Sequence, residues 1–305
     1  MPVGDTVTAI HETASIEERL DAVGRLIAGC LAHTSLQQIV SAHQRLFLNG
    51  KMLRSRLALR VGPANGVPER TLLHAAAAVE MIHSASLLHD DVIDGGYLRR
   101  GAPSFWVERG IPGAILLGDL LLFKAMDLVL DVDDPRLIPS LVRLTGMVCE
   151  AESEQELVLR GRPTELRDWL RIARRKTGAL FAFLGCACGG DDPTLRDTLQ
   201  ECGFSIGTAY QLSDDILDAA EDPDAADKTL GSDQARSKNT VACTVDAREA
   251  ATNLIQELRA KASASLQPWP VVRSAWDRYV EQDVWPAIQK NIVSGKPANA
   301  RLSAE

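Results

Sequence analysis

Aromatic residues and positive charge are both scarce in this chain. Only 5% of its 305 residues are aromatic, and 41 acidic side chains outnumber 33 basic ones, for a formal net charge of −8. A phosphate backbone requires a basic face, so this composition excludes general nucleic-acid binding and leaves any anion site to be built locally. The six cysteines show no CxxC spacing, and a chain of this size needs no disulfide framework, so they read as reduced core residues. All six histidines precede Asp90, none in an HExxH arrangement, which excludes a zinc centre of that kind. No run of eighteen apolar residues occurs, and the opening "MPVGDTVTAI" lacks a basic start followed by an apolar stretch. Neither a membrane span nor a secretory leader is expected, and the cytoplasm is the expected address.

Alternating β-branched runs bounded by turn pairs are missing as well, and what replaces them is helical. In "TASIEERLDAVGRLIAGCLA", Ser15 and Glu18 have capping-box spacing, and Ile16, Leu20, Val23, Ile27 and Leu31 recur at three- and four-residue steps. "TLLHAAAAVEMIHSASLLHDDVID" is apolar or small on almost every face, as expected of a helix buried among others. Segments beginning at Gly113, Leu137, Glu165 and Leu199 continue the series, so the expected fold is all-α. Asp133-Asp134 and Asp191-Asp192 each precede a proline and read as helix starts. The polar interval from Glu221 to Thr240 reads as a surface loop or a mobile lid. One domain over 1–305 is expected, with flexible ends at about 1–14 and 295–305.

Against this background two acidic clusters stand out. Asp90 and Asp94 lie four residues apart on one helix face, with Asp91 about 100° round. Asp214, Asp215 and Asp218 repeat the arrangement. Like charges at this spacing cost an isolated helix roughly 0.2–0.5 kcal/mol per pair, and both segments are otherwise apolar. Divalent cations resolve the conflict, because magnesium takes one or two carboxylate oxygens and completes its shell with water and phosphate. Two clusters can then hold several ions around one diphosphate. Basic residues accompany them at Arg99, Arg100, Lys51, Arg54, Lys176, Lys228 and Lys238, placed to suit two phosphate-bearing molecules. His83, seven residues before Asp90, shares its approach face, whereas His89 is set aside as a packing residue.

The segments "GKMLRSR", "EMIHSASLLHDDVIDGGYLRRGAPS", "LLGDLLL", "EAESEQEL", "RRKTGAL", "YQLSDDILD" and "DKTLGSDQARSKNT" together resemble the trans-isoprenyl diphosphate synthases, or polyprenyl synthetases, from about Gly50 to Thr240. The resemblance implies an all-α isoprenoid-synthase bundle around a central elongation cavity, usually a homodimer, joining isopentenyl diphosphate to an allylic diphosphate. It implies magnesium, roughly three ions per site, held by Asp90, Asp94 and Asp214 with support from Asp91, Asp215 and Asp218. Arg99, Lys176, Lys228 and Lys238 match contacts to the allylic leaving group. Lys51, Arg54, His83 and Arg100 match the isopentenyl pocket, and Thr177 and Gln211 match the polar groups beside the allylic cation. Three departures occur: Ser55 stands where the family has proline, Ala151 where it has glycine, and the C-terminal region lacks an arginine-rich ending.

Two rival readings differ in the residues they need. A class I terpene cyclase would replace the second DDxxD and has no use for Lys51 and Arg54, while a silent regulatory subunit would be expected to lose aspartates. For product length, the positions five and four before Asp90 are Ala85 and Ser86, with Ile82 a turn deeper. In the family, aromatics at the first two stop the chain at fifteen or twenty carbons. Their absence implies a product beyond twenty carbons, with geranylgeranyl or farnesyl diphosphate as alternatives, unless Met147 or Phe123 closes the cavity from the far side.

Overall fold

The computed structural model describes residues 15–32, 34–42, 50–99, 101–160, 162, 165–218 and 245–294. Twelve α-helices follow one another among these: α1 (Ile16–Ala32), α2 (Gln37–Ala42), α3 (Leu53–Val61), α4 (Glu69–Ile93), α5 (Phe105–Leu130), α6 (Leu137–Glu154), α7 (Leu166–Ala173), α8 (Ala179–Cys188), α9 (Pro193–Asp218), α10 (Val245–Ser265), α11 (Pro270–Tyr279) and α12 (Trp285–Ser294). The only strands among the described residues are the two-residue β1 (Leu98–Arg99) and β2 (Ala102–Pro103), an antiparallel pair. The fold is therefore all-α. Arg100, Lys228, Lys238 and the interval from Glu221 to Thr240 lie outside the described residues.

Local chemistry sets several boundaries. The Ser15 N–H donates to Glu18 Oε2 at 2.6 Å and the Glu18 N–H to Ser15 Oγ at 3.2 Å, so the capping box forms and α1 begins there. Asp192 Oδ1 accepts from the N–H groups of Thr194 and Leu195 at 2.9 and 3.0 Å, which makes the aspartate before Pro193 an N-cap. The helix expected from Gly113 begins just ahead of it, because α5 is two helices meeting at a kink where Gly110 is non-helical, with φ 77° and ψ 160°. A positive-φ glycine two residues before a residue lacking an N–H breaks the helical ladder there.

Helix α4 is the axis of the bundle. It is long and apolar enough to cross a membrane by length and hydropathy, but 78% of its most apolar window is buried inside the protein, as in a core helix. Ala75 to Val79 are inaccessible, letting α1, α3, α5 and α8 approach closely. Gly118 of α5 is one such approach: a Cβ there would lie 2.2 Å from the His89 Nε2. His89, set aside as packing, thus joins α4 to α5, with its ring nitrogen 3.3 Å from the Ile115 carbonyl.

Candidate active site

Three carboxylates crowd the C-terminal end of α4, where the helix dipole is already negative. Asp94 caps the helix and Gly95 follows in the left-handed region at φ 57°. The chain then turns through β1 and returns Arg99, whose guanidinium holds both oxygens of Asp91 at 2.6–2.9 Å. Asp91 is buried, while Asp90 and Asp94 are half-buried. The structure thus makes Asp91 the anchor of Arg99, and the pair one turn apart forms the accessible face. Burial pushes the Asp90 carboxyl up to about 6; the Lys176 ammonium pulls against that, and the carboxylates of Glu152 and Asp94 add to it.

Lys176 and Thr177 lie in a π-helical turn, Arg174–Gly178, between α7 and α8. A π turn widens the helix by one residue and commonly marks a functional position. Lys176 Nζ donates to Glu152 at 2.8–2.9 Å and to Gln155 Oε1 at 3.2 Å; Gln155 begins a second π turn, Gln155–Leu159, at the end of α6. The next residue points elsewhere. Thr177 Oγ1 donates to Gln211 Oε1 on α9 at 2.5 Å, and Gln211 Nε2 donates onward to Asp215 Oδ1 at 2.9 Å. This reach depends on Gly207, where a Cβ would come within 2.7 Å of Gly178 Cα. Backbones packed that closely bring α9 against the turn. Adjacent residues therefore reach different partners, Lys176 the end of α6 and Thr177, through Gln211, the second aspartate cluster.

The second cluster is held by amides. Besides the Gln211 bond, Asp214 Oδ1 accepts from Asn291 Nδ2 of α12 at 2.7 Å. Asp215 and Asp218 are buried and Asp214 is half-buried. Among the described residues no three acidic, histidine or cysteine side chains converge closely enough to enclose an ion. Two helices ending in hard carboxylate oxygens fit magnesium shared with a diphosphate, since that ion draws the rest of its shell from phosphate and water.

The basic motif lies at the start of α3. Met52 precedes it in the left-handed region at φ 45°, with Lys51 exposed and Arg54 half-buried. Arg54 stacks 5.1 Å above the Phe181 ring, and its Nε is buried with no hydrogen-bond partner. Ser55, where proline was expected, is fully buried and donates to Glu80 Oε1 from its hydroxyl at 2.7 Å and its N–H at 3.3 Å. Proline could make neither bond. A buried carboxylate at the helix start thus does the fixing that a ring would have done. The C-terminal region packs on α3 as well: Tyr279 donates to the Leu53 carbonyl at 3.0 Å, and Asp283 pairs with Arg56 at 3.3 Å and Arg60 at 2.5 Å.

Along α4, His83, Ser86, Leu87, Asp90 and Asp94 are all half-buried and fall on one stripe, whereas Ala85 and Ile82 are buried. Of the three product-length positions, Ser86 shares the aspartate face. Phe123 is 68% exposed on the outer face of α5, so it does not close the interior, and Met147 is half-buried against the core. Glu80, Glu152, Gln155 and Asn291 were not singled out from sequence. The first three lie within the segments that carry the resemblance, but nothing in the local pattern marks Asn291.

Comparison with known proteins agrees with this arrangement. The family model described as polyprenyl synthetase matches residues 36–268. Farnesyl diphosphate synthase of Escherichia coli is 34% identical over 265 residues, 81% of this chain and 88% of that one. Octaprenyl diphosphate synthase of Haemophilus influenzae is 32% identical over 195 residues, 63% of this chain, and the match spans 59% of that protein's length. The solved geranyltranstransferase of Thermotoga maritima superposes with a TM-score of 0.73 at 26% identity, covering 88% of this chain and 98% of that one. The polyprenyl synthase of Caulobacter crescentus, solved with calcium and isoprenyl diphosphate, gives a TM-score of 0.68 at 25% identity, covering 92% and 94%. A helical bundle with two aspartate clusters, matched by a family model over most of its length, belongs to the polyprenyl synthetase family.

Proposed function

We propose that the protein is a trans-polyprenyl diphosphate synthase, condensing an allylic diphosphate with isopentenyl diphosphate head to tail. The observation that carries this reading is the pair of aspartate clusters, the first with Arg99 bonded to Asp91 and the second joined through Gln211 to Thr177, the neighbour of Lys176. A cation donor and a polar oxygen side by side suit a bond that breaks into an anion and a carbocation.

Asp90, Asp94 and Asp214, with Asp215 and Asp218, would hold magnesium, and Asp91 would keep Arg99 aimed at the same leaving group. Bound magnesium neutralises charge gathering on the departing diphosphate. Arg99 and Lys176 donate to that charge, joined by Lys228 and Lys238, while the Thr177 hydroxyl and Gln211 face the allylic cation. Lys51, Arg54, His83 and Arg100 orient isopentenyl diphosphate so that its double bond attacks the cation. The lost proton goes to the released diphosphate, so no separate general base is required. The relative from Caulobacter crescentus was solved with a divalent cation and an isoprenyl diphosphate, which supports the same chemistry here.

Relatives named as farnesyl, geranylgeranyl and octaprenyl diphosphate synthases are all similar to this chain. We propose a product beyond twenty carbons, on the small Ser86 beside the aspartates and the outward Phe123, against geranylgeranyl or farnesyl diphosphate. The exposed Ile111, Ile115, Leu116, Phe123 and Leu130 along α5 form an apolar stripe that supports a homodimer, and a cytoplasmic address goes with the reading. The deciding experiment incubates purified protein with magnesium, isopentenyl diphosphate and primers of ten, fifteen and twenty carbons, read by mass spectrometry. Magnesium-dependent five-carbon extension is expected. A cyclised hydrocarbon, or no extension of any primer, would overturn the proposal.

A further inference from the structure

The family match ends at residue 268, yet the described chain continues through α11 and α12 to Ser294. We infer that Asn291 of α12 is a positioning residue for the second aspartate cluster, fixing the Asp214 carboxylate for a magnesium–diphosphate pair; this rests on the proposed function of Asp214.

The bonding around Asn291 has only one consistent direction. Ser213 Oγ donates to the Tyr210 carbonyl at 2.7 Å, so toward Asn291 it can only accept. Asn291 Nδ2 supplies that bond at 3.2 Å and donates to Asp214 Oδ1 at 2.7 Å. Both amide hydrogens are used, and the flipped amide would set its oxygen against a carboxylate. Asn291 is itself only 5% exposed, so its amide is shielded from water while Asp214 stays half-buried. The chemical choice is informative. An amide orients the Asp214 carboxylate by hydrogen bonding without adding a charge of its own beside it. Outer partners of metal-binding carboxylates commonly act in this way, and their loss costs about 10- to 100-fold in metal affinity or activity.

Helix α12 is anchored independently of Asn291. Arg259 stacks 4.6 Å over Trp285, and Ala287 and Ile288 are buried. Removing the amide should therefore leave the helix in place.

The test compares wild type with Asn291→Ala, Asn291→Leu and, as a control, Ser213→Ala, which removes the other acceptor of the amide and leaves its bond to Asp214. Thermal unfolding is followed with magnesium and inorganic diphosphate added together, alongside the magnesium dependence of turnover. For wild type and Ser213→Ala, the additives should raise Tm. For both Asn291 variants the magnesium needed for half the maximal rise, and for half-maximal turnover, should increase about tenfold or more. The KM for isopentenyl diphosphate at saturating magnesium should not change. Asn291→Leu keeps the buried volume filled, so it reports even if Asn291→Ala fails to fold. Magnesium dependence unchanged in a folded Asn291 variant, or lost equally in Ser213→Ala, overturns the positioning role while leaving the proposed function standing. If wild type shows no magnesium–diphosphate stabilisation at all, the assignment of Asp214 falls, and the inference with it.

Discussion

The two aspartate clusters are near copies in sequence, "DDVID" and "DDILD", yet the protein holds them by different means. At the first, the middle aspartate is locked to a guanidinium, and the accessible pair faces an ammonium engaged with Glu152. At the second, the carboxylates accept from two neutral amides, Gln211 and Asn291. The difference follows from where each helix ends. After Asp94 the chain turns sharply and can return Arg99 within eight residues, supplying a cation from its own neighbourhood. Asp214 receives its donor from a helix 77 residues further on. The first cluster thus has a guanidinium from its own hairpin in place, while the second is reached by amides from its own helix and from α12.

The largest effect that can break this comparison is removal of the accessible carboxylates. Asp90→Ala and Asp214→Ala should each lower turnover by about three powers of ten, on the scale of losing a principal stabiliser of leaving-group charge. Both residues are half-buried, so far-UV circular dichroism should match wild type. If one variant retained near-normal turnover, the clusters would not act together, and the relay from Thr177 through Gln211 to Asp215 would be structural.

A smaller effect separates the two means of holding a carboxylate. Asp91→Asn strands the Arg99 guanidinium beside a neutral amide, whereas Asp215→Asn leaves Gln211 able to turn its amide and pair again. A hydrogen bond to a charged group contributes about 1.5–3 kcal/mol, and at Asp91 the donor is a guanidinium holding both carboxylate oxygens. Asp91→Asn should therefore lower the stability read from urea unfolding by about 3 kcal/mol, and Asp215→Asn, which weakens a single amide bond to a carboxylate, by about 1.5 kcal/mol. Equal losses would mean that the cation at the first cluster is no more committed than the amide at the second.

Much of this was legible because it is local. Helix identity, the capping box at Ser15 and Glu18, the N-cap at Asp192 and the buried character of α4 depend on residues within a few positions of one another. The aspartate motifs are local too, and helical geometry already separated Asp91 from Asp90. What escaped is long-range and polar. Ser55 reads as a weakening of α3 until Glu80, 25 residues away, is seen to cap it. The ending that lacks arginines reads as a loss until Asp283 meets Arg56 across 227 residues. A single asparagine or aspartate in an amphipathic helix carries no periodic signal of its partner.

The smallest effect concerns product length, and it compares two neighbouring residues on one helix. Ser86 lies on the half-buried stripe that carries Asp90 and His83, while Ala85 is fully buried. A phenyl ring at position 86 extends into accessible space about one turn, or ~5.4 Å, from the aspartates. At position 85 it must displace packed neighbours, at a cost of about 1–3 kcal/mol. Ser86→Phe should therefore shorten the product distribution by one or more five-carbon units and melt close to wild type. Ala85→Phe should melt measurably lower and shift the products less. Mass spectrometry of the products with a melting curve for each variant reads both quantities. The reverse ranking would show that Ala85 opens onto the growing chain once substrate is bound, and that the wall of α4 rotates or parts from α5 during elongation.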